Sequence, residues 1–159
     1  MPEFSGSLRA VGRIAIVVSR FHERITTRLL DGARECLRRA AVPEGEVDVV
    51  WVPGAFELGA VCAGLAATGR YAALVALGAV VRGETPHFDY VAAEAARALG
   101  AIARERALPV GFGVLTTDTL AQAEARAGGA AGNKGYEAAE AALRAADVLA
   151  RLRRPDVAS

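Results

Sequence analysis

Residues 72–90, AALVALGAVVRGETPHFDY, decide the fold. The run 72–77 carries no charge and is closed by Gly78, so it reads as a strand buried on both faces. A strand of that kind belongs to a parallel sheet covered by helices. Beyond it, Thr85 stands as a helix N-cap and Pro86 as the first helical residue. That start leaves free backbone N–H groups beside Gly83, where no side chain blocks an anion. His87 comes next, and its imidazole can give and take a proton near neutrality. A phosphate-sized anion site and a proton-transfer group thus share one turn, as a reaction on a phosphorylated substrate would require. Caps with an adjacent histidine also occur in turns that bind nothing, and from these residues alone both readings stand.

Working outward, the apolar period switches between strand-like and helix-like along the whole chain, with short Gly- or Pro-bearing turns between. Strands are expected over residues 13–19, 46–52, 72–80 and 109–115, and helices over 24–41, 56–68, 87–106, 118–127 and 134–153. This βα alternation predicts a three-layer α/β/α sandwich around a four-stranded parallel sheet in flavodoxin-like order. Residues 1–8 and 155–159 read as loose tails. No repeat, linker or domain boundary interrupts the pattern, so residues 1–159 are expected to form one domain, a size that buries roughly 70% of its unfolded surface without a metal or disulfide.

The balance of 19 basic against 18 acidic residues, net +1, gives no electrostatic footprint for nucleic acid or an anionic membrane, so any anion site must be local. Cys36 and Cys62 have neither metal-binding nor redox spacing and read as packing thiols in a reducing cytosol. With no leader-like start and no apolar run near the ~18 residues of a membrane span, a cytoplasmic protein is expected.

In open parallel sheets ligands bind beyond the carboxyl ends of the strands. Ser19-Arg20-Phe21-His22, Pro53-Gly54-Ala55-Phe56-Glu57, the turn at 78–90, and Gly111-Phe112-Gly113 with Thr116-Thr117-Asp118 occupy those places. Phe21 is either a stacking platform for a planar heterocycle or a staple contact on the next helix. Glu57 either accepts hydrogen bonds from sugar-like hydroxyls or complements a helix dipole. No GxGxxG turn follows the first strand, and no GxxxxGK[ST] occurs. Ser19-Arg20-Phe21 lacks a flavodoxin's hydroxyl-rich loop, and Gly78-Ala79 lacks the aspartate of a phospho-receiver. No His, Cys or carboxylate cluster has metal-ligand spacing.

Taken together, RF before a helix opening at Ile25-Thr26, VPGAFEL (52–58), GAVVRGETPHFDYV (78–91), PVGFGVLTTDTLAQAEARAG (109–128) and AGNKGYEAA (131–139) make the chain resemble the lumazine synthases over essentially its whole length. The resemblance implies a transferase of riboflavin biosynthesis. It would join 5-amino-6-(D-ribitylamino)uracil to 3,4-dihydroxy-2-butanone 4-phosphate, giving 6,7-dimethyl-8-ribityllumazine, phosphate and water, with no metal or organic cofactor. By the same resemblance Phe21 would stack on the pyrimidine with His22 beside it, Ala55, Phe56 and Glu57 would hold the ribityl chain, and Ala79, Val80 and Val81 would meet the ring through their backbone. Glu84 and Thr85 would bind phosphate by their main chain, Arg126 would be its principal cation with Lys134 nearby, Phe112 would wall the pocket, and His87 would be the acid/base.

Arg126 falls about eight residues into the helix after the fourth strand, roughly 12 Å from that strand's end, too far for one chain to close the site. The resemblance implies a pocket shared between neighbours in a pentamer, with Phe21, Glu57 and His87 from one subunit and Phe112 and Arg126 from the next. Taken alone, Arg126 reads as a solvated helix-end charge. His22 stands where Asn is usual in this family, and Gly59 where Pro is usual, which predicts a slightly looser helix start. The short connection 128–133 favours a shell of twelve pentamers, with riboflavin synthase as a partner. A flavin or lumazine carrier and a purely structural shell protein are the rival readings; the first should have lost the phosphate and proton-transfer groups, and the second would leave the pocket free to drift.

Overall fold

The computed structural model describes residues 1–154. Strands β1 (Ile14–Ser19), β2 (Val47–Val52), β3 (Ala73–Val81) and β4 (Val110–Thr117) form one sheet in the order β2-β1-β3-β4, and every pairing is parallel. Because consecutive strand residues point to opposite faces, Ile14, Ile16 and Val18 of β1 enter one core while Ala15 and Val17 enter the other. The first core is closed by helices α1 (Glu23–Arg39) and α5 (Lys134–Leu152), the second by α2 (Leu58–Ala67) and α3 (His87–Arg106). β1 is buried at all six positions, and each large apolar side chain removed from water contributes about 1.5–3 kcal/mol. This is the predicted three-layer sandwich and strand order. No helix of the described residues is long and apolar enough to cross a membrane.

The segment after β4 departs from the expected helix over 118–127. α4 spans only Leu120–Ala125, because Thr119 and Gln122 form a reciprocal capping box that fixes its start. A hairpin of β5 (Ala127–Gly129) and β6 (Gly132–Asn133) follows, turning through Ala130 and Ala131, with Gly132 at φ 86° where the second strand begins. Asn133 then caps α5: its Oδ1 accepts from the N–H groups of Gly135 (2.8 Å) and Tyr136 (3.1 Å), while its Nδ2 donates to Arg28 O at 3.0 Å. A side chain at Gly135 would run into the Leu29 backbone, so the Gly is what lets α5 lie close against α1. The AGNKGYEAA motif is therefore largely a device for docking α5.

The segment read as a loose amino-terminal tail is tied down near its end. Asp147 on α5 is fully buried; its carboxylate accepts from the Ser7 N–H at 2.8 Å, pairs with Arg9, and lies 3.2 Å from Arg151 Nη2. Burial pulls this carboxyl upward, but the Ser7 N–H and Arg9 outweigh it and hold it below its ordinary value. Arg144 and Arg151 also donate to the carbonyls of Gly6 and Ser5. A buried carboxylate needs such donors, and no local pattern in residues 1–8 announces the requirement. The expected tail at 155–159 lies outside the described residues.

Candidate active site

β1 sends the chain by α1 to β2 on one side, while β3 lies on its other side, so the gap between β1 and β3 is the point where strand order reverses. β1 pairs with β3 only as far as Val18 opposite Leu77, whereas β3 stays paired with β4 out to Val81 opposite Thr117. The β1-facing backbone edge of β3 therefore runs open along Ala79, Val80 and Val81. A cavity of about 710 Å³ occupies this place and is lined by those three residues.

The β1 end supplies one wall. The backbone N–H groups of Arg20 and Phe21 donate to Val52 O (2.8 Å) and Pro53 O (3.0 Å), which holds Phe21 beside the Pro53-Gly54 turn. His22 then takes a left-handed conformation, φ 57° and ψ 50°, and its carbonyl accepts from the N–H groups of Ile25 and Thr26 in the first turn of α1. That reversal leaves Phe21 66% exposed toward the cavity. The His22 ring meets Phe21 edge-on at 4.7 Å and stays outside the cavity lining, a support for Phe21 rather than part of the wall. The β2 end supplies a 3-10 turn, Ala55–Glu57, with Ala55 buried in the floor. Glu57 makes no cap bond to the helix it begins; its Oε1 lies over Gly54, where an added Cβ would stand 3.3 Å away. Glu57 lines the cavity while standing at the start of α2, a placement that fits both of its readings.

The opposite rim is the start of α3. Gly83, Thr85 and His87 line it, and His87 is exposed. The helix starts at His87, as the expected range 87–106 has it, but the cap differs: Pro86 rather than Thr85 takes the N-cap place, at ψ 3°, and Thr85 Oγ1 lies 3.5 Å from the His87 N–H, at the outer limit of a hydrogen bond. The first N–H groups of α3 thus lack a side-chain cap, which suits them to an anion. Glu84 belongs to the same exposed turn but is not in the lining. Phe56 (58%) and Tyr90 (73%) add two more exposed rings to one apolar patch, larger than an isolated surface aromatic would be. Tyr90 escaped the sequence reading; its signal was the i+3 spacing from His87, which puts both on one helix face.

Phe112, Arg126 and Lys134 do not join this cavity. Phe112 stands on β4, 39% exposed, over a separate groove of about 220 Å³ between α3 and β4. Arg126 ends α4, its Nη1 donating to Gln122 O at 3.0 Å, beside a depression of about 380 Å³ that it shares with Arg82 and Asp118. The Lys134 backbone N–H donates to Arg126 O at 2.8 Å, so the two residues are neighbours along the main chain. A charged groove of about 480 Å³ between α1 and β2 lies away from all these residues. Burial pushes the Cys36 thiol up to about 11 and Cys62 up to about 12, so both stay protonated packing groups. Among the described residues no group of three or more His, Cys, Asp or Glu side chains could hold a metal ion.

Fold and site define a parallel α/β/α protein with a ring-sized, aromatic-walled crevice at its strand-order reversal and an imidazole on the rim. The model of the 6,7-dimethyl-8-ribityllumazine synthase family matches residues 12–150, and the chain belongs to that family. It is a family of transferases in riboflavin biosynthesis.

Proposed function

We propose that this chain condenses 5-amino-6-(D-ribitylamino)uracil with 3,4-dihydroxy-2-butanone 4-phosphate, the penultimate step of riboflavin biosynthesis, in the cytoplasm. The observation that carries this reading is the open edge of β3 facing Phe21 across a cavity whose far rim bears His87. A flat pyrimidine stacks on Phe21 and uses the free backbone groups of Ala79, Val80 and Val81, while Phe56 and Glu57 take the ribityl chain at Ala55. The amine and ketone condense to an imine with loss of water, phosphate leaves by elimination, and the ribityl-bearing amine closes the ring on the resulting carbonyl with loss of a second water. These steps need proton transfer at His87 rather than a protein nucleophile, and holding both substrates in register supplies much of the acceleration. The main chain at Glu84 and Thr85 receives the phosphate.

The cation and second wall come from a neighbour. Arg126, with Lys134 beside it, and Phe112 lie outside their own chain's cavity, which supports a site shared between subunits of a ring. The ring is a pentamer, twelve of which form a shell with riboflavin synthase as partner. Mixing the purified protein with both substrates tests the reaction: lumazine absorbance and released phosphate are expected to rise in equal amounts. No product above the uncatalysed background would overturn the reading.

A further inference from the structure

Arg82 follows the last residue of β3 and lies between the two parts that one chain gives to two different sites. Its backbone N–H donates to Thr117 O at 2.8 Å, carrying the β3–β4 pairing one residue past the strand. Its guanidinium reaches Asp118 Oδ1 at 2.9 Å and Asp89 Oδ1 at 3.5 Å, and lies 4.4 Å from the centre of the Phe88 ring. Phe88 and Asp89 directly follow His87, and Phe88 lines both the cavity and the depression beside Arg126. In the other direction Asp118 N–H donates to Gln122 Oε1 at 2.9 Å, and Gln122 O accepts from Arg126. An unbroken set of contacts therefore runs from the turn of His87 to Arg126, with Arg82 at its middle.

Stability does not account for this arrangement. The side chains of Arg82, Asp89 and Asp118 are 47%, 61% and 68% exposed, and ion pairs so open to water contribute little. What the guanidinium adds is geometry, since its rigid fork can hold two carboxylates and cover a ring face at once, which a lysine cannot. We propose that Arg82 is a positioning residue for both half-sites, keeping the His87 turn in register with the loop that orients Arg126 and so linking successive sites around the ring. The proposal rests on the shared-site reading above.

Mixed particles test it. One subunit type carries Phe21→Asp and the other Arg126→Ala, so complete sites form only where the second type's pocket meets the first type's Arg126. Arg82→Gln is then added to one type at a time, and kcat and KM for the phosphorylated ketone are measured on isolated mixed particles. In the type that supplies Arg126, KM is expected to rise about fivefold with kcat little changed; in the type that supplies the pocket, kcat is expected to fall about fivefold. Arg82→Lys should recover less than half of either effect. Asp118→Asn leaves Arg82 in place, breaks the same link independently and should reproduce the KM effect. A response in only one placement, or in neither, overturns the proposal. Inactive parental mixtures, before Arg82 is touched, would overturn the shared-site reading and the proposal together, so the two failures are distinguishable.

Discussion

His87 stands exposed on the first turn of α3, and its proposed work is proton transfer rather than binding. His87→Gln is therefore expected to lower kcat by about 10²-fold while affinity for a pyrimidine analogue stays within a factor of about two, measured by lumazine absorbance and by titration. Arg126 has the opposite signature. Its loss removes a charge-assisted contact to phosphate and leaves the Phe21 stacking face intact, so Arg126→Ala should raise KM for the ketone about 10- to 100-fold with ring binding preserved. A variant that instead lost the phosphate-free pyrimidine analogue and kept its ketone KM would show that Arg126 has been given the wrong task. At this scale the residue types were legible because imidazole, guanidinium and aromatic rings carry their chemistry with them. The left-handed turn at His22, which aims Phe21, was not legible, because it depends on the Arg20 and Phe21 N–H groups being claimed by Val52 O at the end of β2 and Pro53 O just beyond it.

Helix α5 is fastened at both ends by polar groups, and each end yields a stability prediction. Asn133→Ala strips the cap from Gly135 and Tyr136 and the tie to Arg28 O, at a cost of about 1–2 kcal/mol, read as a lower denaturation midpoint with unchanged slope. At the far end Asp147 is held below its ordinary value by Ser7 and Arg9 against the pull of burial. A carboxyl depressed on folding contributes stability that is present above its unfolded value, about 3.9, and is lost as pH falls through the lower folded value. Asp147→Asn should therefore be clearly less stable than the parent at pH 7, and the gap should shrink as pH falls below about 4. Urea denaturation at pH 7 and pH 3 measures it; a gap that widened in acid would contradict the assignment. The sequence announced α5 through its apolar period, but the partners of Asp147 come from residues 7 and 9, far away along the chain.

For the whole molecule, Phe112 and Arg126 lie outside the cavity of their own chain, and under the shared-site proposal activity is a property of the assembly. Dissociated subunits should be inactive, and the rate per chain should follow the ring fraction on dilution, seen by sedimentation and assay on the same samples. Co-assembly of Phe21→Asp with Arg126→Ala chains in equal amounts should restore roughly a quarter of parental activity, because in a head-to-tail ring only one ordered pairing in four joins two intact halves. Confirmed mixed particles no more active than either parent would mean that Arg126 works within its own chain.

What the sequence determined by itself was local: four apolar strand runs alternating with amphipathic helices, and polar, aromatic or glycine residues placed just past the strand ends. Such signals need only a few consecutive residues, so the α/β/α layers and most of the cavity lining could be read before any coordinates. Tertiary structure decided which of those loops meet. β3 outruns β1 at the switch point and leaves Ala79 to Val81 open, α4 starts at Leu120 under its capping box and ends at Ala125, and Tyr90 lines the site while Phe112 and Arg126 do not. Each of these outcomes depends on strand order, register and helix packing between segments distant in sequence, which short-range periodicity does not encode.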